Sequence, residues 1–275
     1  MAMQIALCNE VLRELPFERQ CETTAALGYD GLEVAPFTLD AEAPHLLPEA
    51  RRTEVRRSAA EAGMPITSLH WLLVAPPGLS ICTDDEALLA RTREVMQRLI
   101  GLAADLGASV LVHGSSAQRP VRSASDAARA EDTMRLAGEW AAAAGVTYCL
   151  EPLDAGQTSW ARTVEEAADI VRRAAVPGLA TMLDVSAAGN GEAEDVPALL
   201  DRWLPTGLVR HVHLNDRNRR APGQGQDRFA PILRALHEGG YDGLCGVEPF
   251  DYHPDGPTSA ARAIGFLRGI EEALA

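Results

Sequence analysis

One arrangement of apolar and polar positions recurs along the whole chain. A segment with apolar residues at helical spacing ends at a glycine, and a short apolar run follows that ends in a polar or charged residue. In the third such segment, Leu99 and Leu102 lie on one helical face ahead of Gly107, and glycine is common just past a helix end. The short runs are apolar on both faces, which is typical of parallel strands that helices cover.

This recurrence predicts eight strands, each followed by a helix. We expect strands at residues 4–8, 31–35, 66–70, 109–113, 146–151, 179–184, 209–214 and 244–248. We expect helices at about residues 17–27, 47–62, 86–106, 123–144, 163–174, 195–203, 228–238 and 258–273. Alternating strand–helix units without a long linker predict an α/β fold, one closed (β/α)8 TIM barrel, with residues 1–275 as a single domain. A doubly wound open sheet is the alternative, but no glycine-rich phosphate fingerprint follows the first strand.

Length, charge and cysteine usage narrow the function classes. The chain has 275 residues, of which 47% are hydrophobic, and this is enough for the core of one α/β barrel. The net charge of −14 disfavours nucleic acid as a partner, because an acidic surface repels phosphate backbones. We expect no membrane span and no signal peptide, since the sequence lacks a long apolar run and its first residues enter a strand pattern at once. The five scattered cysteines predict reduced core residues and a cytoplasmic protein.

Polar residues stand at the ends of seven predicted strands. They are Glu33, His70, His113, Glu151, Asp184, the pair His211 and His213, and Glu248. In a TIM barrel these positions surround one mouth, at the carboxyl ends of the strands. The last four strands end in Glu, Asp, His and Glu, and burying three carboxylates together is costly unless a cation compensates. Three carboxylates and one imidazole suit Mn²⁺, Mg²⁺ or Co²⁺, with Zn²⁺ as a further option.

The seventh strand carries two histidines and leads into a basic loop. His211 and His213 are one strand period apart and therefore share a face. The loop that follows contains Arg217, Arg219 and Arg220 together with glycines. This combination indicates a site for a metal and for an anionic or polyhydroxylated ligand, and it leaves open whether that ligand is phosphorylated.

Four segments around these positions resemble one known superfamily. They are Leu150–Asp154, Met182–Asp184, His211–Gly225 and Gly246–Phe250. Over nearly its whole length the sequence resembles the xylose-isomerase-like TIM-barrel superfamily of sugar phosphate isomerases and epimerases, and within it the ketose 3-epimerases of the tagatose/allulose type. The resemblance implies a divalent metal, manganese first, and implies that Arg219 binds the substrate. The metal ligands it implies are Glu151, Asp184, His213 and Glu248.

Two positions depart from the pattern of the ketose 3-epimerases. The histidine expected three residues after the aspartate ligand is Ala187 in this chain, and the acid expected six residues after the first glutamate ligand is Gln157. The resemblance assigns both positions to contacts with the ketose. The sequence therefore supports a metal centre and a carboxylate pair, and it leaves the identity of the sugar open.

Epimerisation beside a ketone needs a proton acceptor and a proton donor on opposite faces of the substrate. Glu151 and Glu248 follow strands that are three positions apart in a ring of eight, so we predict that they flank the substrate as the catalytic pair. We expect further strand-end and loop residues to bind the substrate or to line its pocket, and His211 either to orient a metal ligand or to bind a substrate hydroxyl. These are Arg219, His211, His70, His113, Glu33, Trp71 and Gln157. For Trp71, plain core packing is an equal alternative.

Other reactions that begin with the same proton abstraction stay open. The same metal and carboxylates can serve aldose–ketose isomerisation, or β-elimination as in dehydratases and lyases, because each begins with proton abstraction next to a carbonyl. The intact set of candidate ligands disfavours a non-catalytic sugar-binding barrel, and the acidic charge disfavours an apurinic endonuclease of the same fold. We expect a small-molecule carbohydrate as the partner, and the resemblance suggests a homodimer or homotetramer.

Overall fold

The computed structural model describes residues 3–274, which form a closed barrel of parallel strands in sequence order. The strands are β1 (Gln4–Cys8), β2 (Gly31–Val34), β3 (Ile66–Leu69), β4 (Val110–His113), β5 (Thr147–Leu150), β6 (Leu179–Asp184), β7 (Val209–Leu214) and β8 (Leu244–Val247). The first and last strands pair in parallel, with Ile5 opposite Cys245, and this pairing closes the barrel. The predicted TIM barrel is therefore confirmed.

Nine α-helices lie among residues 3–274. They are α1 (Phe17–Leu27), α2 (Glu49–Glu61), α3 (Glu86–Leu106), α4 (Ala124–Ala144), α5 (Val164–Ala174), α6 (Val185–Gly191), α7 (Val196–Trp203), α8 (Phe229–Glu238) and α9 (Gly256–Leu274). Short 3₁₀ helices at Asn9–Leu12, Pro36–Thr38, Pro44–Leu46, Ser116–Gln118 and Leu204–Thr206 complete the connections. Eight of the α-helices match the predicted ones. The sequence analysis missed α6, because its seven residues are too few to show a helical period.

Local sequence explains where the two longest covering helices begin and end. Asp85 caps α3 by accepting hydrogen bonds from two backbone N–H groups of its first turn, and Ser123 caps α4 through the N–H of Asp126. Both helices end at a glycine with positive φ, Gly107 at 83° and Gly145 at 72°, where a side chain would be strained. After these helix ends the chain enters β4 and β5, whose carboxyl ends lie at the mouth of the barrel.

Strand residues alternate between the barrel interior and the surrounding helices. Leu111 and Leu150 belong to the apolar cluster that also contains Leu99 of α3, so they face the helices. Their strand neighbours Val112 and Cys149 form a separate small cluster inside the barrel. This alternation fixes which strand-end side chains point into the mouth. In the part of the chain that the structure describes, no helix is both long enough and apolar enough to cross a membrane.

Candidate active site

Four candidate ligands from four consecutive strands converge at the carboxyl end of the barrel. Glu151 follows β5, Asp184 ends β6, His213 lies on β7 and Glu248 follows β8. One potential ligand atom from each side chain lies within 4.8 Å of the others, and all four residues are buried. Parallel β-strands place these residues together because their carboxyl ends meet at one rim.

Several atoms in this cluster have no hydrogen bond. Oδ2 of Asp184, Nδ1 of His213 and Oε2 of Glu248 are buried without a hydrogen-bond partner of acceptable geometry. Nδ1 of His213 lies 2.9 Å from Oε2 of Glu248 and 3.8 Å from Oε1 of Glu151, so these atoms face one another. Buried polar atoms without partners are costly. A divalent cation with oxygen and nitrogen ligands would satisfy all of them at once, so the residues present fit the metal that the sequence predicts.

Glu33 orients the two histidines of β7. Nε2 of His211 and Nε2 of His213 each lie 3.0 Å from a different oxygen of the Glu33 carboxylate. Burial opposes the charged form of Glu33, but the two histidines outweigh burial and hold its pKa well below its usual range. A Cβ at Gly246 would lie only 2.5 Å from Oε2 of Glu33, so the close packing here requires glycine. The contact between Nε2 and Glu33 therefore turns Nδ1 of His213 toward Glu248. Metal-binding histidines are usually oriented in this way, with the second ring nitrogen held by a carboxylate or carbonyl group.

This placement of Glu33 differs from the expected one. The sequence analysis expected Glu33 to line the substrate pocket, and the structure instead places it against the two histidines of β7. Glu33 is fully buried and both of its oxygens are engaged by histidines. His211 is likewise buried beside Glu33, so it lies below the pocket and not on its surface.

Glu248 is held by donors from the loop after β3. Its Oε1 atom lies 2.8 Å from Nδ1 of His70 and accepts a 2.9 Å hydrogen bond from Nε1 of Trp71. Nε2 of His70 lies 3.0 Å from Oε2 of Glu10, which is also buried. Burial opposes the charged form of Glu248, but His213 and His70 outweigh it and lower the pKa to about 2. Burial opposes the charged form of His70, but the carboxylates of Glu10 and Glu248 outweigh burial and raise the pKa of His70 well above its usual value.

The side chain of Glu151 is much less constrained. Burial, reinforced by the charge of Glu248, raises the pKa of Glu151 to about 8. Burial and Glu248 also raise the pKa of Asp184 to about 6, although Oδ1 of Asp184 accepts a hydrogen bond from the N–H of Ala187. A Cβ on Gly114 would overlap Oε2 of Glu151, so only glycine leaves room for this carboxylate. The backbone of Glu151, unlike its carboxylate, is held by a hydrogen bond, since the buried Arg119 donates to the carbonyl of Glu151 over 2.8 Å.

A cavity of about 280 Å³ opens beside Glu151 and Asp184. Arg219 and Phe250 line it, and the Arg219 guanidinium carbon lies 4.7 Å from the centre of the Phe250 ring. Gln157 also lines it, with its amide donating to Asp154 over 2.5 Å. A larger cavity of about 880 Å³ lies at the opposite, N-terminal end of the barrel and contains none of the four candidate ligands. Barrel enzymes carry their chemistry at the carboxyl end, so the smaller cavity is the candidate substrate pocket.

Trp71 lies at the same mouth, in an unusual backbone conformation with φ of 52°. Its ring centre is 5.9 Å from that of Phe37 and 5.9 Å from that of Phe250. The hydrogen bond from its indole N–H to Glu248 shows that Trp71 is more than core packing, because its polar end contacts the candidate catalytic pair. Trp71, Phe250 and Arg219 together form one side of the mouth.

His113 does not reach the mouth. It is two residues from Leu111 on β4 and therefore faces the helices, where Nδ1 lies 2.7 Å from Oη of Tyr148. Burial, with a smaller effect from Arg119, lowers the pKa of His113 to about 3. The sequence analysis expected this histidine in the pocket, and the strand-end position alone did not reveal which face it occupies.

Sequence reasoning also missed two residues next to the candidate catalytic pair. Glu10 lies in the 3₁₀ helix Asn9–Leu12, directly after β1, and the only signal in the sequence is that the first apolar run also ends in polar residues. Arg119 lies in a loop after β4, and no pattern in the sequence distinguishes it from a solvated arginine. The structure shows that it is completely buried.

Comparison with known proteins decides the family. A family model described as Xylose isomerase-like TIM barrel matches residues 21–270. The chain belongs to the xylose isomerase-like TIM barrel family. The match covers all strands but β1 and every candidate site residue except Glu10. The predicted membership is therefore confirmed.

Members of the xylose isomerase-like family with similar sequences carry epimerase names. The chain is 26% identical over 241 residues to the D-psicose 3-epimerase of Ruminiclostridium cellulolyticum, covering 86% of this chain and 79% of the relative. A crystal structure of D-psicose 3-epimerase in the presence of D-fructose has a TM-score of 0.81 at 20% identity, covering 98% and 99% of the two chains. The 3-keto-D-glucoside 4-epimerase YcjR of Escherichia coli has a TM-score of 0.82 at 20% identity, covering 98% and 100%. The predicted likeness to ketose 3-epimerases is confirmed at the level of sequence.

Proposed function

We propose that this protein is a metal-dependent ketose 3-epimerase, an isomerase that removes the proton next to the carbonyl of a keto sugar and returns it on the opposite face. The observation that supports this most strongly is the convergence of Glu151 and Glu248, from strands β5 and β8, on one buried cluster with Asp184 and His213. Similar sequences that carry the name D-psicose 3-epimerase support the same reaction.

The four converging residues would hold the cation. Glu151, Asp184, His213 and Glu248 supply three carboxylates and one imidazole, a set suited to Mn²⁺, with Mg²⁺, Co²⁺ and Zn²⁺ as alternatives. When bound, the metal supplies Lewis-acid stabilisation of the negative charge that develops on the substrate oxygens as the proton leaves. Glu33 would keep His213 in the tautomer with Nδ1 free for the cation.

The two glutamates would move the proton. Glu151 lines the substrate pocket, so its carboxylate can reach a proton of a bound sugar. Glu248 approaches from the other side of the ring of strands and would serve the second face. A positioned acid or base contributes about 10²–10⁴-fold to the rate, so the pair can account for a large part of the acceleration.

Substrate would be held by Arg219 and by the rings of Phe250 and Trp71, which surround the opening. Ala187 and Gln157 line the same cavity without the groups expected of a ketose 3-epimerase. This observation favours a second candidate: β-elimination or aldose–ketose isomerisation of a keto sugar or keto-polyol with the same glutamates. A cytoplasmic location and a homodimeric or homotetrameric state remain predictions from the sequence.

The test is a panel of keto sugars and keto-polyols incubated with Mn²⁺ in D₂O and followed by NMR. Epimerisation places deuterium at the carbon next to the carbonyl and conserves mass, whereas elimination produces an enone. Treatment with EDTA and desalting should abolish exchange, and added Mn²⁺ should restore it. Absence of exchange with every compound, or full activity without detectable metal, would contradict the proposed function.

A further inference from the structure

Two residues contact the Oε1 atom of Glu248 directly, and a third contacts one of these two. His70 and Trp71 both contact Oε1 of Glu248, at 2.8 Å and 2.9 Å. Glu10 contacts the far nitrogen of the His70 ring at 3.0 Å. The proposed reaction assigns none of these contacts a role in moving the proton.

The burial of these ionisable groups costs free energy of folding. Glu10, His70 and Glu248 are at most 5% exposed, so two carboxylates and an imidazole leave water together. Among residues 3–274, Oε1 of Glu10 has no hydrogen-bond partner. Buried ionisable groups with incomplete hydrogen bonding usually cost stability relative to apolar side chains of similar size. Packing alone therefore does not account for their presence beside a candidate catalytic residue.

The contacts act differently on the two oxygens of Glu248. Oε1 lies against both His70 and Trp71, whereas Oε2 has no hydrogen bond and points toward Nδ1 of His213. A carboxylate can rotate about its last single bond and exchange its two oxygens. Two contacts on one oxygen oppose this rotation. The contrast with Glu151 is direct, because its carboxylate packs against the backbone of Gly114 and has no side-chain hydrogen bond within the described part of the chain.

We propose that Glu10, His70 and Trp71 are positioning residues that lock the carboxylate of Glu248, so that Oε2 alone is presented to the metal and to one face of the substrate. His70 makes the contact, Glu10 fixes the ring of His70, and Trp71 contributes a second donor from the mouth. Glu151 lacks such a lock and serves the other face. This inference rests on the proposed function, since it assigns the two faces to two glutamates.

A positioning role and a merely structural role predict different results. If the three residues only support the fold, their loss slows exchange from both epimers of a substrate pair equally. If they position Glu248, their loss slows proton removal from one epimer and spares removal from the other, because Glu151 is untouched. Supporting residues of this kind typically contribute about 10–100-fold to activity or metal affinity.

The experiment compares Glu10→Ala, Glu10→Gln and Trp71→Phe with wild type at saturating Mn²⁺. Deuterium incorporation into the recovered starting epimer is measured separately from each member of an epimer pair, and Mn²⁺ affinity is measured by EPR of the free ion. The exposed Glu14→Gln variant is the control for loss of a nearby carboxylate. Thermal unfolding of each variant shows that it is folded.

With Glu10→Ala we expect exchange from one epimer to fall about 10–100-fold, exchange from the other to change less than about threefold, and Mn²⁺ affinity to weaken. Glu10→Gln should restore part of the loss because its amide oxygen can still accept from His70. Trp71→Phe should show a smaller effect of the same asymmetry. Equal slowing from both epimers, or no slowing in a folded Glu10→Ala variant, would overturn the inference. If wild type shows no exchange with any substrate, the proposed function itself has failed.

Discussion

Two regions around the barrel mouth contain the same residue types in opposite electrostatic states. In the Glu151 region, formed by β4 and β5, the carboxylate has a pKa raised by burial to about 8, and His113, which faces the helices behind the mouth, has a pKa lowered by burial to about 3. In the Glu248 region, formed by β8 and the loop after β3, histidines outweigh burial and lower the pKa of the glutamate to about 2, and carboxylates raise that of His70.

Neighbours, not burial, produce this difference. All four residues are buried, and burial alone pushes every one of them toward its neutral form. The hydroxyl of Tyr148 next to His113 carries no charge that could oppose burial, and Arg119 acts in the same direction as burial, so burial prevails. His70 lies between two carboxylates, so opposite charges prevail over burial. The two glutamates therefore differ because histidines face Glu248, whereas the strongest charge that acts on Glu151 is the carboxylate of Glu248.

The largest expected effects separate the two glutamates. Glu151→Gln and Glu248→Gln should each lower turnover by about 10²–10⁴-fold, because each removes one proton carrier. Their effects on stability should differ. Glu248→Gln leaves His70 with Glu10 and His213 with Glu33 as their remaining charged partners, and the loss of the second carboxylate should lower the free energy of unfolding by about 1–3 kcal/mol. Glu151→Gln removes a carboxylate that burial disfavours and should leave stability unchanged or raise it. Steady-state kinetics and urea unfolding without metal measure both quantities.

The control for this comparison is the exposed Glu14→Gln variant, which should match wild type in both measurements. Equal stability of the Glu151 and Glu248 variants would contradict the electrostatic difference between the two regions. Wild-type turnover in either variant would contradict the two-glutamate assignment while leaving the fold intact.

The sequence predicted the barrel and its mouth but not this difference. Short apolar runs ending in Glu151, Asp184 and Glu248 located the cluster, because parallel strands bring their carboxyl ends together whatever the loops do. The charge states depend on contacts between distant segments, such as His70 with Glu10, which no local pattern encodes. The face occupied by His113 likewise depends on register, since a shift of one residue reverses every side chain of a strand.

A smaller effect is expected from crowding the Glu151 region alone. Gly114→Ala introduces a methyl group where Oε2 of Glu151 lies, so the carboxylate must move. A displacement of about 1 Å in a catalytic group can cost about 10²-fold, and we expect a loss of that order in turnover together with weaker Mn²⁺ binding, because Glu151 is also a candidate metal ligand. Kinetics and EPR titration measure the two quantities.

Gly101→Ala is the matched control, because a methyl group there meets no atom within 4 Å and the helix gains stability. Wild-type turnover in a folded Gly114→Ala variant would contradict this prediction. It would mean that the reaction tolerates a displaced Glu151 carboxylate.

The smallest predicted effect concerns the neutral histidine of the Glu151 region. The pKa of His113 is about 3 in the folded protein, against an ordinary value of 6.5. Between these values the unfolded chain binds a proton that the folded chain does not, so the unfolding free energy falls as the pH is lowered, by about 1.4 kcal/mol per pH unit from this residue. His113→Gln cannot titrate and should remove that share of the slope between pH 6 and pH 4, as measured by urea unfolding. The exposed His237→Gln variant should follow wild type. Parallel plots of unfolding free energy against pH for wild type and His113→Gln would mean that His113 is protonated in the folded protein between pH 6 and pH 4. His113 and His70 would then be in the same charge state.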